Sequence, residues 1–98
     1  MQAIDIQHED DGATGRYFHL FDDGSEAEMT YRRVSANVIA ADHTGVPPHH
    51  RGQGHAEQLV AAAMADARRN GTKIVPLCSY VAAMFRRHPE WADLRSDG

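Results

Sequence analysis

The alternation of apolar and polar residues in the first half of the chain predicts β-strands that are joined by short turns. The pattern alternates over residues 3–7 and 26–32, whereas residues 16–21 are rich in residues that favour strands. The turn residues Asp22-Asp23-Gly24 stand between residues 16–21 and 26–32. Residues 38–46 begin with a more continuous apolar stretch, which is typical of a strand buried on both faces. Four successive strands with short connections predict an antiparallel meander.

The second half of the chain changes to helical spacing. A stripe of apolar residues predicts a helix over residues 53–70, ending at Asn70-Gly71. The stripe consists of Ala56, Leu59, Val60, Ala63, Met64 and Ala67. A fifth strand is expected over residues 73–78, parallel to the fourth because a helix connects them, and Pro76 should weaken its pairing near the end.

The last predicted elements are a second helix over residues 79–87, with Ser79 as its N-cap, and a helical turn over residues 89–94. The order β-β-β-β-α-β-α predicts an α+β fold with a mixed, mostly antiparallel sheet of about five strands, a crossover helix and a C-terminal helix. With 98 residues in all, we expect residues 1–98 to form one domain.

The turn between the fourth strand and the first helix has an unusual composition. Residues 46–56 read Val-Pro-Pro-His-His-Arg-Gly-Gln-Gly-His-Ala, and no Ser, Thr, Asp or Asn occurs in residues 46–64 to cap the helix. Gly52 and Gly54 allow an anion to approach the backbone, and Arg51 adds a positive charge. Either a bound phosphate replaces the missing cap or water does, and the residues of the turn leave both interpretations open.

Composition and charge narrow the class of protein. The formal net charge of −4 argues against a nucleic-acid-binding surface. No apolar run is long enough to span a bilayer, and residues 1–11 do not resemble a secretory leader. Cys78 is the single cysteine and cannot form an internal disulfide. We therefore expect a cytoplasmic protein, as a monomer or small homo-oligomer, without a membrane or nucleic-acid partner.

Several motifs carry a family resemblance. Residues 51–56, Arg-Gly-Gln-Gly-His-Ala, resemble the Q/R-x-x-G-x-G/A acetyl-CoA loop of the GNAT superfamily of N-acetyltransferases. Residues 73–81 and 87–91 resemble its small, single-domain "YjdJ-type" branch. The resemblance implies a trimmed GNAT core that transfers acetyl from acetyl-CoA to an unknown amine acceptor, such as a small amine or a lysine side chain. A coenzyme A-binding module with little turnover is the alternative.

The resemblance also implies where the cofactor binds. Backbone amides of residues 51–56 would hold the pyrophosphate of coenzyme A, and the pantetheine arm would lie between separated fourth and fifth strands, with its thioester near Cys78. His55 departs from the Ile or Leu that is common at its position, and its side chain is expected to point away from the phosphate. The implied cofactor-binding residues are Val46, His50, Arg51, Gly52, Gln53, Gly54, His55, Ala56, Cys78 and Ser79.

Three residues are candidates for catalysis, and each has a structural alternative. Cys78 is either a nucleophile that accepts the acetyl group or a buried apolar residue. Tyr80 either protonates the leaving thiolate or closes the pocket with its ring. His43 is either the general base or a structural imidazole. A catalytic Glu of the usual GNAT type is not assignable.

The histidines of the turn invite a metal interpretation. However, His49, His50 and His55 lie on a Gly/Pro turn, lack the i, i+4 spacing of helical zinc ligands, and have no nearby set of carboxylates or thiolates in the sequence. We therefore expect no metal site.

Overall fold

The computed structural model describes residues 2–97, which form five strands and two α-helices. The strands are β1 (Gln7–Asp10), β2 (Thr14–Leu20), β3 (Glu26–Ser35), β4 (Val38–Gly45) and β5 (Lys73–Pro76). The helices are α1 (His55–Asn70) and α2 (Ser79–Arg87), and short 3₁₀ helices cover Pro48–His50 and Pro89–Leu94. The predicted α+β order of elements is confirmed.

The five strands form one sheet in the order β1-β2-β3-β4-β5. Each neighbouring pair is antiparallel except β4 and β5, which are parallel as predicted. The ladder between β4 and β5 ends at the pair Ala41↔Pro76, whereas β4 continues to Gly45. Since Pro76 has no N–H to donate, the two strands part at this point.

The first strand lies later in the chain than its pattern predicts. The prediction for residues 3–7 is wrong, because β1 is Gln7–Asp10, whose four residues are all exposed and therefore show no hydrophobic alternation. The segment before β1 is attached to α1 instead. The N–H of Ile4 donates to Oε1 of Gln58 at 3.0 Å, and Nε2 of Gln58 donates to the carbonyl of Gln2 at 2.7 Å.

Both helices cover the same face of the sheet. Apolar side chains of α1 and α2 join inward-facing residues of the strands in one buried cluster, which includes Met29, Ile39, Ala41, Leu59, Met64, Ile74, Val81 and Met84. The predicted stripe of α1 is buried except for Ala56, which is half-buried, and His55 is buried in addition. On the opposite face, the guanidinium carbon of Arg16 lies 3.9 Å from the centre of the Phe18 ring.

The helix ends follow from backbone conformation. Gly54 has φ 80°, so α1 begins at His55 rather than at residue 53, and Gly71, with φ 69°, ends it as predicted. The prediction that Ser79 caps α2 is wrong. Cys78 occupies the N-cap position in an extended conformation, and Ser79 is the first helical residue. Neither described helix has the length and apolar composition needed to cross a membrane.

Candidate functional site

The loop before α1 presents an uncapped helix N-terminus. No side chain of the described residues caps α1, and the N-cap residue Gly54 is in the left-handed conformation. Gly52 also has a positive φ, 78°, and a Cβ added there would meet no atom within 4 Å. Because the first N–H groups of a helix have no intrahelical acceptor, this loop offers several donors to an anion. Its glycines leave the approach to those donors open.

A cleft of about 370 Å³ opens beside this loop. The cleft lies between the end of β4, the loop, the start of α1 and one residue of α2. Thr44, Gly45, Val46, His50, Arg51, Gly52, Gly54, His55, Ala56 and Tyr80 line it. Seven of the predicted cofactor-binding residues are therefore together in one cleft with Tyr80.

The other predicted cofactor-binding residues lie around this cleft. Gln53 is exposed and lines a neighbouring cavity of about 900 Å³ that includes the segment before β1. Ser79 is exposed, and Cys78 is half-buried next to the cleft residue Thr44. Arg51 is exposed, and its Nε donates to the carbonyl of Val46 at 3.0 Å, which holds its side chain against the loop.

The end of β4 beside the cleft carries a bulge against β3 and has no partner in β5. Thr30 pairs with His43 and Tyr31 with Ala41, so Asp42 is the extra residue of β4. After the ladder with β5 ends, one more hydrogen bond joins β4 to the segment that follows β5: the N–H of Cys78 donates to the carbonyl of Ala41 at 2.9 Å. The backbone of β4 past this bond faces the cleft without a β5 partner.

Cys78 has an environment that favours its thiolate. Burial raises the pKa of the thiol, but the Thr44 hydroxyl and the N–H groups of Val81 and Tyr80 outweigh burial, and the pKa lies below its ordinary value. Sγ of Cys78 lies 3.5 Å from Oγ1 of Thr44. A thiol at the start of a helix with a lowered pKa is a stronger nucleophile at neutral pH than an ordinary cysteine.

Tyr80 is held in its protonated form. Burial raises the pKa of its phenol and the negative charge of Glu57 adds to this, while Arg87 opposes them. Tyr80 lines the cleft together with Thr44 and Gly45 at the end of β4, so a protonated phenol belongs to a residue of the cleft wall.

His43 does not line the cleft, and its side chain lies on the other side of the sheet from Thr44. It is exposed and pairs with Thr30, whereas the neighbouring Thr44 pairs with the buried Met29. Successive residues of a strand face opposite sides of the sheet, so the two side chains of β4 diverge. The imidazole lies over the backbone of Gly45, where an added Cβ would come within 3.0 Å of its Nε2.

His55 belongs to an aromatic cluster with the β2–β3 hairpin. Its ring packs edge-on against Phe21 with centroids 5.0 Å apart, and Phe21 stacks on His50 with centroids 3.6 Å apart. Burial lowers the pKa of His55, and the neighbouring His19 and His50 lower it further. Its Nδ1 has no hydrogen-bond partner among the described residues. His55 therefore contributes its neutral ring to packing and its backbone to the loop.

The tip of the same hairpin supplies a carboxylate to the histidines of the turn. Oδ2 of Asp23 lies 2.6 Å from Nε2 of His49 and 2.9 Å from Nε2 of His50. The premise that these histidines have no carboxylate ligand nearby is therefore wrong for His49 and His50. Asp23 is 26 residues before His49, and only the hairpin fold reveals their proximity.

A second cleft, of about 440 Å³, lies across β1, β2 and β3 but its charges are already paired. Arg16 contacts Glu9, Glu26 and Glu28, and Asp10 accepts hydrogen bonds from Tyr31 and Arg33. It contains none of the sequence-predicted site residues, so the cleft at the loop is the candidate site.

Comparisons with known proteins find related N-acetyltransferases. A family model described as GCN5-related N-acetyltransferase matches residues 16–94, which run from the third residue of β2 to the end of the last 3₁₀ helix. The chain is also similar to the solution NMR structure of a Staphylococcus aureus protein described as a GCN5-like candidate N-acetyltransferase. The match has 30% sequence identity and a TM-score of 0.74, and it covers 98% of this chain and 91% of that chain.

Proposed function

The chain belongs to the GCN5-related N-acetyltransferase family, and on this basis we propose that it is an acetyl-CoA-dependent N-acetyltransferase acting on an amine. The acceptor class that we propose is a small amine or a lysine side chain. The observation that carries the proposal is the uncapped start of α1, which lies beside the gap between β4 and β5.

The residues of the loop fit the diphosphate of coenzyme A. An anion at this helix start would accept hydrogen bonds from backbone N–H groups that no side chain of the described residues satisfies. The helix dipole would add about 0.3–1 kcal/mol for each favourable charge. The open space at Gly52 and the guanidinium of Arg51 support the same assignment.

The gap between the strands fits an extended arm with amide groups. Past Ala41, the β4 backbone has no β5 partner, and its end lines the cleft. An amide-bearing chain at this edge would pair with β4 as an added strand does. When bound, acetyl-CoA supplies an activated acetyl thioester.

The roles that we propose for the side chains follow from their positions. Cys78, whose thiolate is favoured, would accept the acetyl group at Sγ and then yield it to the amine. Tyr80 would donate its phenolic proton to the departing sulphur. His43 would take a proton from the amine only if the acceptor approaches from the exposed side of β4.

One observation favours a second candidate function. Among the described residues that line the cleft there is no Asp or Glu, so no carboxylate base is in place there. A coenzyme A-binding module with little turnover is therefore the alternative.

Two measurements on the full chain separate these functions. Thermal unfolding with millimolar acetyl-CoA should raise the midpoint, because the cofactor binds only the folded state. An unchanged midpoint would contradict both functions. Release of free thiol should then be followed with a panel of small amines and lysine peptides. Amine-dependent release supports the enzyme, whereas binding without release supports the module.

A further inference from the structure

We propose that Asp23, His49 and His50 form a binding site for a divalent transition-metal ion of the Zn²⁺ class. The candidate ligand atoms are Oδ2 of Asp23 and Nε2 of each histidine, and they all lie within 4.8 Å of one another. Two imidazoles and one carboxylate are a donor set that suits such ions. The site shares His50 with the lining of the cleft, but its ligand atoms belong to side chains and are not the loop amides that we assign to coenzyme A.

The contacts among these atoms are hydrogen bonds from the two imidazoles to one carboxylate oxygen. A carboxylate oxygen can only accept, so both Nε2 atoms must present an N–H to Oδ2 of Asp23. An ion about 2.0–2.2 Å from each ligand atom would replace these protons. Since tetrahedral ligand atoms at these bond lengths lie about 3.3–3.6 Å apart, Oδ2, which now lies 2.6 and 2.9 Å from the two Nε2 atoms, would move away from them by about 1 Å or less.

Two of the three ligands are already oriented by their neighbours. The second carboxylate oxygen of Asp23, Oδ1, accepts hydrogen bonds from the N–H and the hydroxyl of Ser25 at 2.9 and 2.6 Å. The ring of His50 stacks on Phe21 at an interplanar angle of 5°. Such supporting contacts orient ligands and strengthen metal binding. The ion would therefore meet a partly formed site.

The third ligand leaves the site open to solvent. The side chain of His49 is 61% exposed, so its ring can adjust to the ion. Three protein ligands leave at least one coordination position for water or a small anion. An ion here would connect the tip of the β2–β3 hairpin to the 3₁₀ turn that precedes the glycine loop. It would thus stabilise the folded chain.

The test uses the full chain with any affinity tag removed and with metal first stripped by a chelator. Calorimetric titration with ZnCl₂ should show one ion per chain, and ZnCl₂ should raise the unfolding midpoint. Asp23→Asn and His49→Gln should each weaken Zn²⁺ binding at least tenfold. Asp23→Asn keeps a side-chain oxygen for Ser25, and His49→Gln changes an exposed residue, so the second variant serves if the first fails to fold.

The matched control is His88→Gln. His88 has one carboxylate, Glu90, at 3.1 Å and forms no such three-residue group in the described chain. Zn²⁺ affinity within twofold of the original protein is expected for this variant. The proposal is overturned if the original protein shows no saturable binding, or if Asp23→Asn and His49→Gln bind Zn²⁺ as it does. Because ZnCl₂ alone is the probe, this result does not depend on acetyl-CoA binding.

Discussion

Oγ1 of Thr44 and Sγ of Cys78 lie 3.5 Å apart, and this contact joins the end of β4 that has no β5 partner to the residue that precedes α2. It crosses the place where the ladder between β4 and β5 has ended. The Thr44 hydroxyl can donate a hydrogen bond to a thiolate, whereas an apolar group cannot. The contact therefore links the geometry of the gap to the reactivity of Cys78.

Thr44→Val should raise the pKa of the Cys78 thiol. The Thr44 hydroxyl is the largest of the contributions that lower this pKa, so its loss shifts the inflection of the alkylation rate to higher pH. At pH 7.5 the rate of reaction with iodoacetamide should fall about threefold or more. Cys78 is the only cysteine, so the measured reaction has one site. Thr30→Val, whose hydroxyl instead donates to Asp42, should leave the rate profile unchanged.

Cys78→Ala tests whether the acetyl group passes through the thiol. After exposure to acetyl-CoA, intact-protein mass spectrometry should show one acetyl adduct on the original protein and none on the variant. Turnover with an amine should fall at least about a hundredfold in the variant. If the variant turns over normally and the original protein stays unmodified, the amine attacks the thioester directly.

Gly52→Ala should abolish binding of acetyl-CoA. Gly52 and Gly12 both have positive φ, and an added Cβ meets nothing within 4 Å at either, so each substitution should cost about 1–2 kcal/mol of backbone strain. Gly12→Ala is therefore a matched control. Both variants should unfold at lower temperature, but only Gly52→Ala should lose the shift of the midpoint with acetyl-CoA. An equal shift of the midpoint in both variants would contradict the assignment of an anion site to the loop.

Tyr80→Phe should lower kcat at least about tenfold while the dissociation constant of acetyl-CoA stays within about twofold, since a proton donor is lost and the ring remains. Stopped-flow or thiol-release kinetics would measure kcat. Tyr17→Phe removes a hydroxyl that donates to Asp66, away from the cleft, and should leave kcat unchanged. Full activity in Tyr80→Phe would leave this residue only a packing role.

Asp10→Asn should destabilise the chain at neutral pH and reduce its sensitivity to acid. The Tyr31 hydroxyl, the N–H of Gly12 and the Arg33 guanidinium lower the pKa of Asp10 to about 2. Since the folded pKa lies below the unfolded one, the stabilisation is present above about pH 4 and is lost as pH falls towards 2. After allowance for solvent exposure we expect a loss of about 1 kcal/mol at pH 7.

Urea unfolding at pH 7 and pH 3 would measure this loss, with Asp97→Asn as the control because the Asp97 side chain is 94% exposed. An equal loss for Asp10→Asn at both pH values, or the same small effect in both variants, would contradict the assignment.

Local patterns predict most of this fold because most elements have one buried face. The stripe of α1 and the β2–β3 hairpin follow directly from apolar spacing and from the Asp-Asp-Gly turn. The bounds of β1 do not follow from the sequence, because a strand whose residues are all exposed has no such spacing. Its position is defined instead by its pairing with Phe18 and Tyr17 of β2. The prediction that Ser79 is the cap is wrong by one residue, because Cys78 occupies the N-cap position and Ser79 is already the first residue of α2.

The candidate site is predictable only where its residues are contiguous. The glycine loop is a single segment, so its missing cap is visible in the sequence. The proximity of Asp23 to His49, or of Thr44 to Cys78, depends on how the hairpin and β4 fold across 26 and 34 residues. No periodicity records contacts of this kind.

The two hydrogen bonds of Gln58 have a practical consequence for protein engineering. They place Gln2 and Ile4 against the first turns of α1, and these residues share a cavity with Gly52 and Gly54. Any peptide fused ahead of residue 2 would emerge at the mouth of the loop and compete for the space in front of it. Near the other end of the described chain, Arg95 forms a bridge with Ile74 close to the start of β5, so a purification tag or fluorophore attached there would leave the cleft clear.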